Sequence, residues 1–183
     1  RREITGVFAG DLEAAHSAGV RFVKSQNGSI VENKADIVIT SGAGAPLDST
    51  FYQSIKGLTA VLPIVAEGGT IIMVSSCDEG IGSSEFEQLL LSNDSSEDFL
   101  AKLEDPNFFV IDQWQLQELC KVVKKARVIL YSHGIPETFK DKLFVEVVES
   151  FESGFADSVA QYMEEPKIAV VPKGPYVLTK LRE

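Results

Sequence analysis

Three polar side chains in one helical segment carry the most chemistry in this chain. Tyr52, Gln53 and Lys56 follow a glycine loop, Ser41-Gly42-Ala43-Gly44-Ala45-Pro46. At helical spacing they fall within one arc of about 100°. An ammonium with an amide and a phenol beside it suits a small carboxylic acid. A solvated helix face is the alternative. The N-terminus of that helix would add unpaired N–H groups and the positive end of the macrodipole, both favourable to an anion. Trp114 lies off the apolar stripe of a later helix and suits either a flat ligand wall or packing against another domain.

Other residues offer weaker chemistry. Gly42 and Gly44 lack the third glycine of a dinucleotide fingerprint, and no phosphate-loop lysine follows. The loop then serves as a tight strand-to-helix turn. A second loop, Cys77-Asp78-Glu79-Gly80-Ile81-Gly82-Ser83-Ser84, carries a thiol with no base placed by sequence to activate it. Cys77 therefore reads as a packed cysteine. His133 follows a strand and could exchange a proton, but has no evident partner. His16 on the first helix reads as a surface or packed histidine. No Cys/His cluster has metal-ligand spacing.

The elements that must position these groups alternate strand and helix. Asp36 to Thr40 is a β-branched run, followed by the glycine loop and a helix opening at Asp48 that Pro63 ends or kinks. Phe51, Ile55, Leu58 and Leu62 give that helix its core face. Gly68-Gly69 leads into a second strand, Thr70 to Ser76. Strand, loop, helix, strand in this order predicts a parallel sheet with a crossover helix. Both glycine loops then share the carboxyl edge of the sheet, where ligands bind in open α/β folds.

Further along, Ser83 or Ser84 caps a helix with Phe86, Leu89 and Leu90 inward. A surface loop precedes a short helix from Phe99 to Leu103, and Phe108 to Ile111 is a candidate strand. Asp112 is the expected N-cap of a helix to about Lys125, with Leu116, Leu119, Cys120 and Val123 inward. Arg127 to Tyr131 is a strand, Pro136 to about Phe144 a helix, and Val145 to Val148 a weaker strand. A helix from about Gly154 to Glu165 would bury Phe155, Val159, Tyr162 and Met163. Ile168 to Val171 is the last strand. At the front, Asp11 caps a short helix ending near Gly19, and Asn27-Gly28 marks a turn. The expected fold is α/β, a mostly parallel sheet of about five strands with helices on both faces.

Bulk properties exclude several functions. The 183 residues are 44% hydrophobic and 24% charged, enough for one α/β domain with a sizeable core. A net charge of −10 argues against a nucleic-acid binder, which needs a basic face. No apolar run reaches the roughly 20 residues that span a bilayer. Two isolated cysteines make no disulfide framework, so the cytoplasm is the expected location. The opening Arg1-Arg2-Glu3, without methionine, suits a piece of a longer protein.

Several blocks together resemble the nickel-dependent lactate racemase family. They are Gly10-Asp11 with Ala15-His16, Ala35-Asp36-Ile37-Val38-Ile39, Pro46-Leu47-Asp48, Phe51-Tyr52-Gln53, Lys56-Gly57, Gly68-Gly69-Thr70, Glu79-Gly80-Ile81-Gly82, Asp112-Gln113-Trp114-Gln115 and Pro172-Lys173-Gly174. The similarity spans nearly the whole chain but matches only the C-terminal domain of a two-domain enzyme. The resemblance implies a partner N-terminal domain that carries a nickel pincer nucleotide on a lysine, a histidine ligand to the nickel, and two acid/base histidines. It implies racemisation or epimerisation of a small 2-hydroxy acid by hydride transfer. It assigns the substrate carboxylate and hydroxyl to Gln53 and Lys56, a pocket wall to Trp114, and a pocket or cofactor contact to Tyr52. Gly42, Gly44, Gly80 and Gly82 are the loop candidates. No catalytic group and no metal ligand is expected in this domain, nor a tightly bound cofactor. Two other readings are a non-catalytic small-acid binding or interaction domain of the same fold, and a conventional nucleotide-binding enzyme domain.

Overall fold

Branched apolar side chains in short consecutive runs build the centre of this fold. The computed structural model describes residues 3–182. Its strands are β1 (Gly28–Val31), β2 (Ala35–Ser41), β3 (Val65–Val74), β4 (Arg127–Tyr131), β5 (Glu146–Val148), β6 (Ile168–Val171) and β7 (Leu178–Leu181). Its helices are α1 (Leu12–Asn27), α2 (Phe51–Val61), α3 (Ser84–Leu91), α4 (Ser96–Lys102), α5 (Gln113–Lys125) and α6 (Phe151–Val159). Two 3-10 turns cover Glu137–Lys142 and Gly174–Tyr176.

The main sheet has five strands in the order β5-β4-β3-β2-β6, and every neighbouring pair is parallel. Alternation along the strands serves two cores. Val38, Ile71, Met73, Val128 and Leu130 pack with Phe51, Ile55, Leu58, Leu116 and Leu119 of α2 and α5. Ile37, Ile72 and Ile129 point the other way, against Phe151, Phe155 and Val159 of α6. Helices therefore cover both faces, as the β-branched strands require. Strands β2 to β5 step across the sheet one after another, and the chain then returns through α6 to place β6 on the far side of β2. The strand order thus reverses at β2. The carboxyl edge beside it carries the loops that follow β2 and β3.

Helix α2 is defined at both ends. Thr50 is its N-cap, and the Thr50 hydroxyl accepts from the Gln53 N–H at 3.2 Å. The helix starts at Phe51 rather than Asp48, because Asp48 is drawn into the loop. The Asp48 carbonyl accepts from the Cys77 N–H at 2.8 Å, and its carboxylate from the Ser76 N–H at 3.3 Å. The helix stops at Val61, one residue short of Leu62-Pro63. Lys125, at the end of α5, reaches across and donates to the Leu62 carbonyl at 2.7 Å.

Two glycines let α2 lie unusually close to the sheet. A Cβ on Gly57 would stand 2.8 Å from the Ser41 carbonyl oxygen and 2.6 Å from Met73 Cε. A Cβ on Gly174 would stand 2.9 Å from Gly57 Cα and 2.6 Å from Thr40 Oγ1. The closing Pro172-Lys173-Gly174 segment is thereby wedged between β2 and α2, and the Ser41 hydroxyl donates to the Pro172 carbonyl at 2.5 Å.

Several boundaries differ from the sequence expectations. Helix α1 continues through Gly19 to Asn27, yet buries no residue. Phe108 to Ile111 is irregular chain and not a strand; it pairs with neither sheet, and Phe108 and Val110 pack against the main core instead. The segment after Pro136 is a 3-10 turn. Helix α6 starts and ends earlier than expected; Tyr162 still packs on its core, but Met163 is fully exposed. The parallel pair β1–β7 joins the two ends of the chain and was not anticipated. Among the described residues no helix is long and apolar enough to cross a membrane.

The close seating of α2 has a measurable consequence. Gly57→Ala should cost about 1–3 kcal/mol, the range for forcing extra atoms into a packed core. A urea denaturation midpoint would report it; an unchanged midpoint would mean that α2 can back away from Ser41 freely.

Candidate functional site on the carboxyl edge of the sheet

The first free N–H groups of α2 are already used. Phe51 N–H donates to the Gly80 carbonyl and Tyr52 N–H to the Ile81 carbonyl, both at 2.9 Å, while Gln53 N–H is held by Thr50. The expectation of an anion at this helix end through backbone donors is corrected accordingly. Any anion here must be met by side chains. Loop residues 77–80 are further sewn to the loop after β2, since Glu79 N–H donates to the Ser49 carbonyl at 2.7 Å.

The glycines earn their places by local geometry. Gly44 and Gly80 both turn with φ of +79°. Gly82, at φ +151°, lies so close to α2 that a Cβ would stand 2.9 Å from Tyr52 Cβ. A Cβ on Gly42 would meet Asp48 Cβ at 2.5 Å, so this glycine admits the Asp48 side chain. Gly80 and Gly82 thus border the Tyr52 end of α2. Gly42 contacts Asp48 and Ser75 beneath the loop.

Lys56 and Gln53 are brought together on the outward face of α2. Lys56 is exposed, and its ammonium donates to Gln53 Oε1 at 2.6 Å. It enters none of the ion pairs found among the described residues. With the amide oxygen occupied by Lys56, the amide nitrogen keeps its donors for another group.

Tyr52 and Trp114 form an aromatic corner one turn away. Their ring centroids are 6.0 Å apart with planes at 85°, and Phe86 meets the other side of Tyr52 edge-on at 5.2 Å. Trp114 is 51% exposed, which leaves much of the indole to meet something else. The Tyr52 hydroxyl donates to Asp112 Oδ1 at 3.1 Å. Burial first, and then Asp112, push the Tyr52 phenol above its ordinary value, so it stays protonated and remains a donor. Tyr52, Gln53, Lys56 and Trp114 therefore occupy one region of the carboxyl edge.

Asp112 was expected to cap α5 and does something else. It adopts a left-handed conformation, φ +68°, and makes no side-chain bond to its own helix. Its second oxygen accepts from the Ser83 hydroxyl at 2.6 Å, and Ser83 in turn caps α3. Buried Gln115 donates to the Tyr52 carbonyl at 2.7 Å. An aspartate before a helix reads as an N-cap, so only its place in the Asp-Gln-Trp-Gln block could have drawn attention to it. Cys77 is wholly buried, with Sγ 3.6 Å from Ser54 Oγ. His133 is exposed and bonded through Nε2 to the Tyr131 hydroxyl at 2.9 Å.

The family model described as lactate racemase C-terminal domain matches residues 30–179. A lactate racemase of Lactiplantibacillus plantarum is 33% identical over 181 residues, which cover 98% of this chain and 42% of that protein. A lactate racemase of Thermoanaerobacterium thermosaccharolyticum is 29% identical over 97% of this chain and 42% of its own length. The solved lactate racemase apoprotein from the latter organism superposes with a TM-score of 0.82 over 95% of this chain. A Thermotoga maritima protein at 15% identity and a TM-score of 0.60 shares the fold. The chain spans less than half the length of the curated relatives it matches, and it belongs to the lactate racemase C-terminal domain family.

Proposed function

We propose that this chain is the substrate-pocket domain of a longer 2-hydroxyacid racemase or epimerase. In this reading a preceding domain carries a nickel pincer nucleotide and the acid/base histidines. The observation that carries it is the Lys56–Gln53 pair beside the Tyr52–Trp114 corner, in a chain of this family. Among the described residues, no group of three or more His, Cys, Asp and Glu side chains could hold a metal ion. This reading leaves the nickel ligands to the preceding domain.

The residues of this chain bind and orient. The Lys56 ammonium takes the substrate carboxylate, and the Gln53 amide nitrogen donates to a carboxylate or hydroxyl oxygen. The Tyr52 and Trp114 rings wall off the substituent on Cα and exclude water from that side. A grip on the carboxylate, hydroxyl and side group leaves the Cα–H bond free to react, which any interconversion of the two enantiomers requires.

In the longer protein, Lys56→Ala should raise KM for a 2-hydroxy acid roughly ten- to hundredfold, matching the about 1.5–3 kcal/mol of a hydrogen bond to a charged group. Nickel content should not change. Steady-state kinetics with a chiral product assay, alongside metal analysis, would check both. Unchanged kinetics would remove Lys56 from this role.

A further inference from the structure

We propose that Asp112 is the positioning residue of this site, its single carboxylate fixing both the Tyr52 phenol and the first turn of α5 so that Trp114 stands edge-on over Tyr52. The inference rests on the reading of this corner as a substrate pocket, and it adds a residue to which no role has been given.

Asp112 gives up the usual work of a helix N-cap. An aspartate at a helix N-cap ordinarily takes extended backbone angles and accepts from its own helix. Asp112 does neither. Its left-handed backbone turns the carboxylate away from the helix axis of α5 and toward α2 and α3. Oδ1 takes the Tyr52 hydroxyl at 3.1 Å and Oδ2 the Ser83 hydroxyl at 2.6 Å. One side chain thus joins the start of α5 to the ring of Tyr52 and the cap of α3. Aspartate is among the few residues that adopt this backbone region readily and also present two acceptor oxygens.

The consequence falls on Trp114, two residues on. With Asp112 anchored to the Tyr52 hydroxyl and Gln115 to the Tyr52 carbonyl, the α5 turn carrying Trp114 is tied to both ends of one tyrosine. The indole has no comparable restraint of its own, being half exposed. The core contacts of α5 through Leu116 and Leu119 lie on the buried face and hold the helix, not the indole.

Trp114 is the single tryptophan of the chain, which makes the test direct. Asp112→Asn keeps the shape and removes the charge. Asp112→Gly keeps the left-handed backbone and removes the side chain, guarding against a folding failure. Time-resolved fluorescence anisotropy should show a faster indole component in both variants. The Tyr52 phenol, followed by ring-labelled tyrosine NMR and assigned with Tyr52→Phe, should titrate lower than with Asp112 in place. A merely structural role would lower the melting temperature and leave the indole anisotropy in place at ambient temperature. Unchanged anisotropy in both variants, whether or not the Tyr52 midpoint moves, would overturn the proposal. In the longer protein, Asp112→Asn should raise KM severalfold. If Lys56→Ala leaves KM unchanged while the Asp112 signals move, the pocket reading fails and the clamp stands. If Lys56→Ala raises KM and the Asp112 variants are silent, the clamp fails and the pocket reading stands.

Discussion

The rest of the site depends on how close helix α2 lies to the carboxyl edge of the sheet. Gly57 and Gly174 remove the Cβ atoms that would stand between α2, β2 and the closing turn. The carbonyls of Gly80 and Ile81 then reach the first N–H groups of α2. These contacts are backbone to backbone, so their geometry is short and leaves little freedom. They decide where Tyr52, Gln53 and Lys56 project. They also consume the first helix donors that would otherwise attract an anion.

The site is accordingly divided between charge and shape. Lys56 is an exposed cation with an amide oxygen as its neighbour and an aromatic corner within a turn. In water, such a cation gains little from a distant charge, but a carboxylate enclosed between it and another domain would be held more strongly. Closure over the Tyr52–Trp114 corner would supply that enclosure.

Much of this was legible in the sequence because the relevant forces are local. The runs Ile37-Val38-Ile39 and Ile71-Ile72-Met73 are too continuously apolar for a one-sided sheet, and the glycine loops after them mark the carboxyl edge. The spacing of Tyr52, Gln53 and Lys56 placed them on one helical arc, and Trp114 off the α5 stripe is indeed the half-exposed residue. What sequence could not supply was non-local. The β1–β7 pair joins segments at opposite ends of the chain whose side chains are mostly exposed, so no alternation announces it. Asp112 looks like a cap because capping is a local rule, whereas its actual partners are far away along the chain. Asp48 looked like a helix start until the loop after β3 claimed it. Helix α1 runs on through Gly19 because the cost of one interior glycine, about 1 kcal/mol, is not enough to end a 16-residue helix.

The central claim is that Lys56 and Gln53 receive the carboxylate of a 2-hydroxy acid against the Tyr52–Trp114 wall. A crystal structure of the longer protein with a bound 2-hydroxy acid tests it most directly. The account predicts the carboxylate about 2.7–2.9 Å from Lys56 Nζ, the usual distance for such a charged pair, with the Cα substituent against the two rings. A ligand carboxylate held elsewhere, with Lys56 left in solvent, would contradict it.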